Sequence, residues 1–233
     1  MTTGEDLLKI ARRHVGDPYL LGVVAPKTNK QWRGPWDCAE FVSWCVFQSA
    51  GILYGCDNNT NPILADAFTG FWHRDVMSIG RRIDLESAAS IPGAAVLRIP
   101  QPGLIGHIVF SDGKGNTVEA HSRSTGVIRS KLSGRRWDMG VLVPGIEYTP
   151  LSDPRPVPQP LLVLRLTNPQ MQGKLVRDVQ RALKEAGFNP GKVDGIYGPN
   201  TVAAVNAFQV SNGLVADGEV GAQTAKALGI TMP

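Results

Sequence analysis

The chain has 233 residues, 19% charged and 42% hydrophobic, with a net charge of +4 split almost evenly between its first 150 residues and the rest. That composition excludes extended disorder, and no apolar run reaches the ~18 residues a membrane helix needs. Three cysteines exclude a disulfide scaffold, and the charge is too dilute for a nucleic-acid footprint.

The first predicted element is an amphipathic helix. Thr3 is its N-cap and Asp6 completes a capping box. Leu7, Leu8, Ile10, Ala11 and Val15 form the apolar stripe, and Gly16 is the stop. Glu5, Asp6, Lys9, Arg12 and Arg13 interrupt any apolar core of a secretory signal. Synthesis in the cytoplasm is therefore expected, with any action outside following release or injection.

The next informative stretch is Trp36-Asp37-Cys38-Ala39-Glu40-Phe41-Val42-Ser43-Trp44-Cys45. Gly34-Pro35 breaks the chain, Asp37 is a good N-cap, and Cys38 falls in the first helical turn. Phe41, Val42 and Cys45 share its face. A helix N-terminus favours a thiolate and can hold an oxyanion. Cys45 lies ~10 Å further along the helix, too far to pair with Cys38, and reads as a core residue. Cys56 sits in a polar loop without a partner.

Residues 106–121 read as a hairpin. Alternation puts His107, Val109 and Ser111 on one face, and Ile108 and Phe110 on the other. Thr117, Glu119 and His121 share a face on the return strand. If Ser111 pairs with Thr117, His121 lies opposite His107; a shift of two residues puts Glu119 there. Both registers keep both side chains on the face of His107. Nucleophile, base and orienting residue are thus available as Cys38, His107 and either Glu119 or His121. The four histidines, His14, His73, His107 and His121, form no tight metal-ligand pair, so neither metal nor cofactor is expected.

Tyr148 to Pro160 holds five prolines in thirteen residues, a semi-rigid spacer. It divides the chain into 1–148, a linker at 149–160, and 161–233. The last part contains a repeat. Asp194-Gly195-Ile196-Tyr197-Gly198-Pro199-Asn200-Thr201 matches Asp217-Gly218-Glu219-Val220-Gly221-Ala222-Gln223-Thr224 at an offset of 23. Each copy is a turn feeding a helix. With an earlier helix over 174–186, the segment predicts a small three-helix bundle.

These residues, together with Val176-Arg-Asp-Val-Gln-Arg-Ala-Leu183, Ala207-Phe-Gln209 and Asn212-Gly-Leu214, resemble the type 1 peptidoglycan-binding domain over 161–233. The resemblance implies non-catalytic binding to bacterial peptidoglycan, with Asp194, Gly195, Tyr197, Gly198 and Thr201 as binding positions. Residues 5–145 resemble the NlpC-type and CHAP-type papain-like peptidases of cell walls. The resemblance rests on Gly16-Asp-Pro-Tyr19, Asp37-Cys-Ala-Glu-Phe-Val42, Pro92-Gly-Ala-Ala-Val96, Gly106-His-Ile-Val109 and Val118-Glu-Ala120.

That second resemblance implies an α+β papain-like fold in which helices pack on an antiparallel sheet. By position Cys38 is the nucleophile, His107 the base and Glu119 the third residue. Tyr19 assists the oxyanion and Asp37 the substrate. The chain departs from the NlpC pattern where Ala39-Glu40 replaces Ser-Gly, and where Ala94 replaces an Asp. The implied activity is cleavage of a stem-peptide amide near D-Glu and a diamino acid, as in a modular endolysin or an injected effector. The alternatives are an N-acetylmuramoyl-L-alanine amidase of the same fold and a non-catalytic wall binder. A monomer is expected, with peptidoglycan as its partner.

Overall fold

A computed structural model describes residues 1–101, 104–149 and 162–232. The proline-rich stretch from Pro150 onward lies outside the described residues. Two compact units are present.

The larger unit contains α1 (Gly4–Arg12), α2 (Cys38–Ala50), α3 (Thr69–Ser78), β1 (Arg81–Ile83), α4 (Leu85–Ser90), β2 (Pro92–Arg98), β3 (His107–Asp112), β4 (Asn116–Ser122), β5 (Gly126–Lys131) and β6 (Met139–Leu142). The six strands form one antiparallel sheet in the order β1-β6-β2-β3-β4-β5. The α+β reading of the sequence is what the structure has.

The predicted capping box starts α1. The Asp6 amide donates to Thr3 Oγ1 at 3.3 Å, and the Thr3 amide donates to Asp6 Oδ2 at 3.0 Å. Alternation along the strands then sorts side chains between two cores. Ala95, Leu97, Ile108, Phe110, Val118, Ala120 and Val141 pack with Leu7, Leu8 and Ala11 of α1 and Phe41, Val42 and Cys45 of α2. Val96, Val109 and Leu142 pack with Ala88 and Ala89 of α4 on the reverse side. The sheet is covered on both faces, so its central strands β2, β3 and β4 are buried almost throughout. No described helix is long and apolar enough to cross a membrane.

The smaller unit holds α5 (Lys174–Glu185), α6 (Pro199–Ser211) and α7 (Ala222–Ala227). Val176, Val179, Leu183, Tyr197, Val205 and Phe208 form its core. Each repeat loop is clipped by a buried glutamine. Gln180 Nε2 donates to Asp194 Oδ1, the Ile196 carbonyl and Thr201 Oγ1, and its Oε1 accepts from the Gly195 amide. Gln209 Nε2 donates likewise to Asp217 Oδ1, the Glu219 carbonyl and Thr224 Oγ1, and its Oε1 accepts from the Gly218 amide. The Asp-Gly-x-x-Gly-x-x-Thr repeat is thus held by buried amide chemistry, since such groups are costly to leave unpaired. Gln180→Ala or Gln209→Ala should each lower the stability of this unit by about 2–4 kcal/mol. Calorimetry of the full chain should show one transition moving down, the other unchanged.

Candidate active site

The site is built around the first turn of α2. Trp36 is fully buried, edge-on to Phe41 and Trp44, and its indole N–H donates to Asp17 Oδ2 at 3.2 Å. This anchors the chain immediately before the helix. Asp37 then caps it: Oδ1 accepts from the Glu40 amide at 2.8 Å, and Oδ2 accepts from the Gly22 amide at 3.3 Å. Burial pushes the Asp37 carboxyl up to about 6. Asp37 therefore has a structural task, binding the 19–25 loop to the helix, beside any contact with substrate.

Cys38 opens the helix and is only 7% exposed. Its sulfur lies against the amide of Ile108, the residue after His107, which brings α2 and β3 to one corner. The helix N-terminus alone predicts a lowered thiol pKa. The structure reverses that expectation: burial pushes the Cys38 thiol up to about 12, and the Asp37 charge adds to the rise. Hydrogen bonds from the Ile108 and Ala39 amides and the Arg98 charge pull the other way and are outweighed. Burial thus favours the neutral Cys38 thiol over its thiolate. Asp37→Asn keeps a capping oxygen and removes the opposing charge. Its expected effect is faster iodoacetamide alkylation of Cys38 near neutral pH, with the profile moved to lower pH. An unmoved profile would show that Asp37 does not control the thiol.

His107 begins β3 and is 2% exposed. Its Nε2 meets Glu119 Oε2 at 2.6 Å, and Glu119 is fully buried. Glu119 Oε1 also accepts from Thr117 Oγ1 at 2.5 Å. Trp137 stacks on the imidazole, with ring centroids 6.0 Å apart and planes inclined by 29°. Gly106 precedes His107 because the space is filled: a Cβ there would stand 2.3 Å from Thr69 Oγ1 and 2.9 Å from the Arg98 carbonyl oxygen.

The hairpin register pairs Ser111 with Thr117 and Phe110 with Val118. Extended along both strands, that register sets His121 opposite His107, yet Glu119 makes the bond. A diagonal neighbour is within reach of a long side chain. The β4–β5 register also shifts between Ala120 and Ser122, so His121 sits at a bulge, which re-aims a side chain. His121 Nδ1 instead meets Thr125 Oγ1 at 2.9 Å, and its ring stands edge-on to His107 with centroids 6.4 Å apart.

Tyr19 adjoins this corner. Burial raises its hydroxyl well above the usual phenol range, and the neighbouring Asp37 carboxylate adds to that. Three buried charges stand nearby, of which the sequence marks only Glu40, as a departure from the NlpC pattern. Arg98 pairs with His107 across β2 and β3 and is fully buried. Lys27 and Glu40 form an ion pair with no exposure on either side chain. Burial pushes the Glu40 carboxyl up to about 7, against the lowering pull of Lys27. A lone Arg closing the apolar run Ala94-Ala-Val-Leu-Arg98 was the one available signal for the first.

In the smaller unit, Asp194, Gly195 and Thr201 are engaged by Gln180. Tyr197 is fully buried, its hydroxyl donating to the Gly218 carbonyl at 3.1 Å. The structure corrects the expectation for Tyr197: a side chain in the core offers no surface to a ligand. Around Gly198 and Thr201, a groove of about 350 Å³ is lined also by Gln170, Lys192, Asp194 and Asn200.

Residues 172–228 match the family described as a putative peptidoglycan binding domain. Among curated relatives, N-acetylmuramoyl-L-alanine amidase CwlL of Bacillus licheniformis is 41% identical over 73 residues, 29% of this chain and 20% of its own. N-acetylmuramoyl-L-alanine amidase XlyA of Bacillus subtilis (strain 168) is 35% identical over 118 residues, 44% of this chain and 39% of its own. The chain thus spans well under half the length of these relatives. Among solved structures, the NlpC/p60 domain of peptidoglycan hydrolase SagA is 19% identical with a TM-score of 0.44, covering 60% of this chain and 99% of that one.

Proposed function

We propose that this protein is a peptidoglycan hydrolase that cleaves an amide of the stem peptide by thiol catalysis, held on the wall by its C-terminal unit. The observation that carries the reading is the buried His107–Glu119 bond beside the capped first turn that bears Cys38.

Glu119 occupies Nε2, so Nδ1 of His107 is the atom that exchanges the proton. His107 takes the Cys38 proton as sulfur attacks the scissile carbonyl, since the buried thiol is neutral at rest. Glu119 holds the ring and stabilises the imidazolium that forms. The amides of the first turn of α2 and the Tyr19 hydroxyl supply donors for the tetrahedral oxyanion. As the intermediate collapses, His107 protonates the leaving amine, and an acyl-thioester remains on Cys38. Water, deprotonated by His107, hydrolyses it. The groove beside Gly198 and Thr201 is the peptidoglycan contact of the smaller unit. Two linked binding events raise the local concentration of substrate without new catalytic contacts.

The bond cleaved is an endopeptide bond next to D-Glu and a diamino acid, a reading that rests on the resemblance of the Cys38 and His107 segments to NlpC-type peptidases. A second reading is favoured by the names of the relatives: cleavage between N-acetylmuramic acid and L-alanine. Chromatography and mass spectrometry of one defined muropeptide containing both bonds decide between them. A dipeptide left attached to the sugar, with the rest of the stem released, supports the endopeptidase; an intact peptide released from the sugar supports the amidase; neither product in active preparations overturns both.

A further inference from the structure

Glu40 stands two residues after Cys38, where it has no part in the proton transfers above. Both of its carboxylate oxygens are nonetheless engaged. Its Oε2 accepts from the Ala25 amide at 2.9 Å and from Lys27 Nζ, and its Oε1 accepts from the Ala67 amide at 2.6 Å. Lys27 Nζ also donates to the carbonyls of Ala25 at 3.2 Å and Ala65 at 3.1 Å. A single buried pair thus fastens two loops, around 20–27 and 63–69, to the helical turn that bears Cys38.

Both loops border the reacting groups. Tyr19 and Gly22, on the first, face Cys38 and Asp37. Thr69, at the end of the second, packs against Gly106, the residue before His107. Both also carry exposed apolar side chains: Leu20, Leu21 and Val24 on the first, and Ile63, Leu64 and Phe68 on the second. These apolar side chains stand on the two segments that one ion pair tethers beside Cys38 and His107, where a bound substrate would cover them. A buried ion pair contributes little net stability, because desolvation offsets attraction, but it fixes geometry. Here the geometry it fixes is the separation of the two loops.

We propose that Lys27 and Glu40 are positioning residues that set the width of the substrate cleft, and that Leu21 and Leu64 line its two walls and hold the stem peptide. This rests on the reading of Cys38 as the nucleophile. The peptide then reaches the thiol between the walls, and the pair governs binding of substrate rather than the reactivity of sulfur.

The test is steady-state kinetics on a defined muropeptide for Lys27→Met, Lys27→Met/Glu40→Gln, Leu21→Ala and Leu64→Ala, with Cys38 alkylation by iodoacetamide measured in parallel. Lys27→Met should raise KM about ten- to a hundredfold while kcat and the alkylation rate stay within about twofold. The neutral double variant should regain thermal stability without regaining the native KM. Leu21→Ala and Leu64→Ala are surface changes that leave the fold intact, and each should raise KM several-fold. Native KM values in the two leucine variants would overturn the proposal, as would a fall in alkylation that parallels kcat. Absence of turnover in the wild type, or its survival in Cys38→Ser, would instead defeat the catalytic reading.

Discussion

Cys38→Ser should lower turnover of a muropeptide at least about a thousandfold while leaving the fold intact. A neutral hydroxyl in the same place is a far poorer nucleophile than a thiolate generated by His107, and serine fits the first turn of a helix capped by Asp37. The control is Cys45→Ser. That sulfur is fully buried in the main core, and burial raises its pKa well above the usual thiol range. Replacing it puts an unpaired hydroxyl into an apolar setting, which should cost about 1–3 kcal/mol and spare the chemistry. Circular dichroism and calorimetry check the fold, and product formation checks turnover. Equal loss of activity in both variants at equal stability would remove the special role of Cys38.

The second large effect separates Glu119 from His121. Glu119→Gln retains shape and removes the charge that stabilises the His107 imidazolium, so kcat should fall about a hundred- to ten-thousandfold. The amide also presents a donor to Nε2, favouring the wrong ring tautomer. His121→Ala loses the bond to Thr125 at the β4–β5 turn and should change kcat by less than about tenfold. Kinetics on one muropeptide tests both variants, and the reverse ranking would give the orienting role to His121.

Much of this arrangement was legible because it is local. Thr3 and Asp6 cap α1 across three residues, Asp37 caps α2 immediately before Cys38, and alternation in the hairpin fixes which side chains share a face with His107. The choice between Glu119 and His121 was not legible in the hairpin pattern; the family resemblance alone pointed to Glu119. That choice depends on a bulge at His121 and on a diagonal contact, and neither leaves a trace in the pattern of polar and apolar residues. The thiol's upward shift was also hidden, since it arises from burial against β3, far away in the chain. Lys27 and Glu40 look like ordinary surface charges until Ala25, Ala65 and Ala67 close around them. In the smaller unit the repeat was plain, but its meaning was not: Gln180 and Gln209 stand 14 and 8 residues before the aspartates they clip. Only the folded unit shows that Tyr197 lies in the core.

The proposed reaction is the cutting of a peptide amide of the wall. Mass spectrometry of whole sacculi after digestion tests it most directly, with wild type and Cys38→Ser compared side by side and total binding to sacculi measured in the same samples. New amine and carboxyl termini should appear at one stem-peptide amide with wild type, and none with Cys38→Ser despite equal binding. New reducing sugar ends, or the same peptide cleavage by Cys38→Ser, would contradict it.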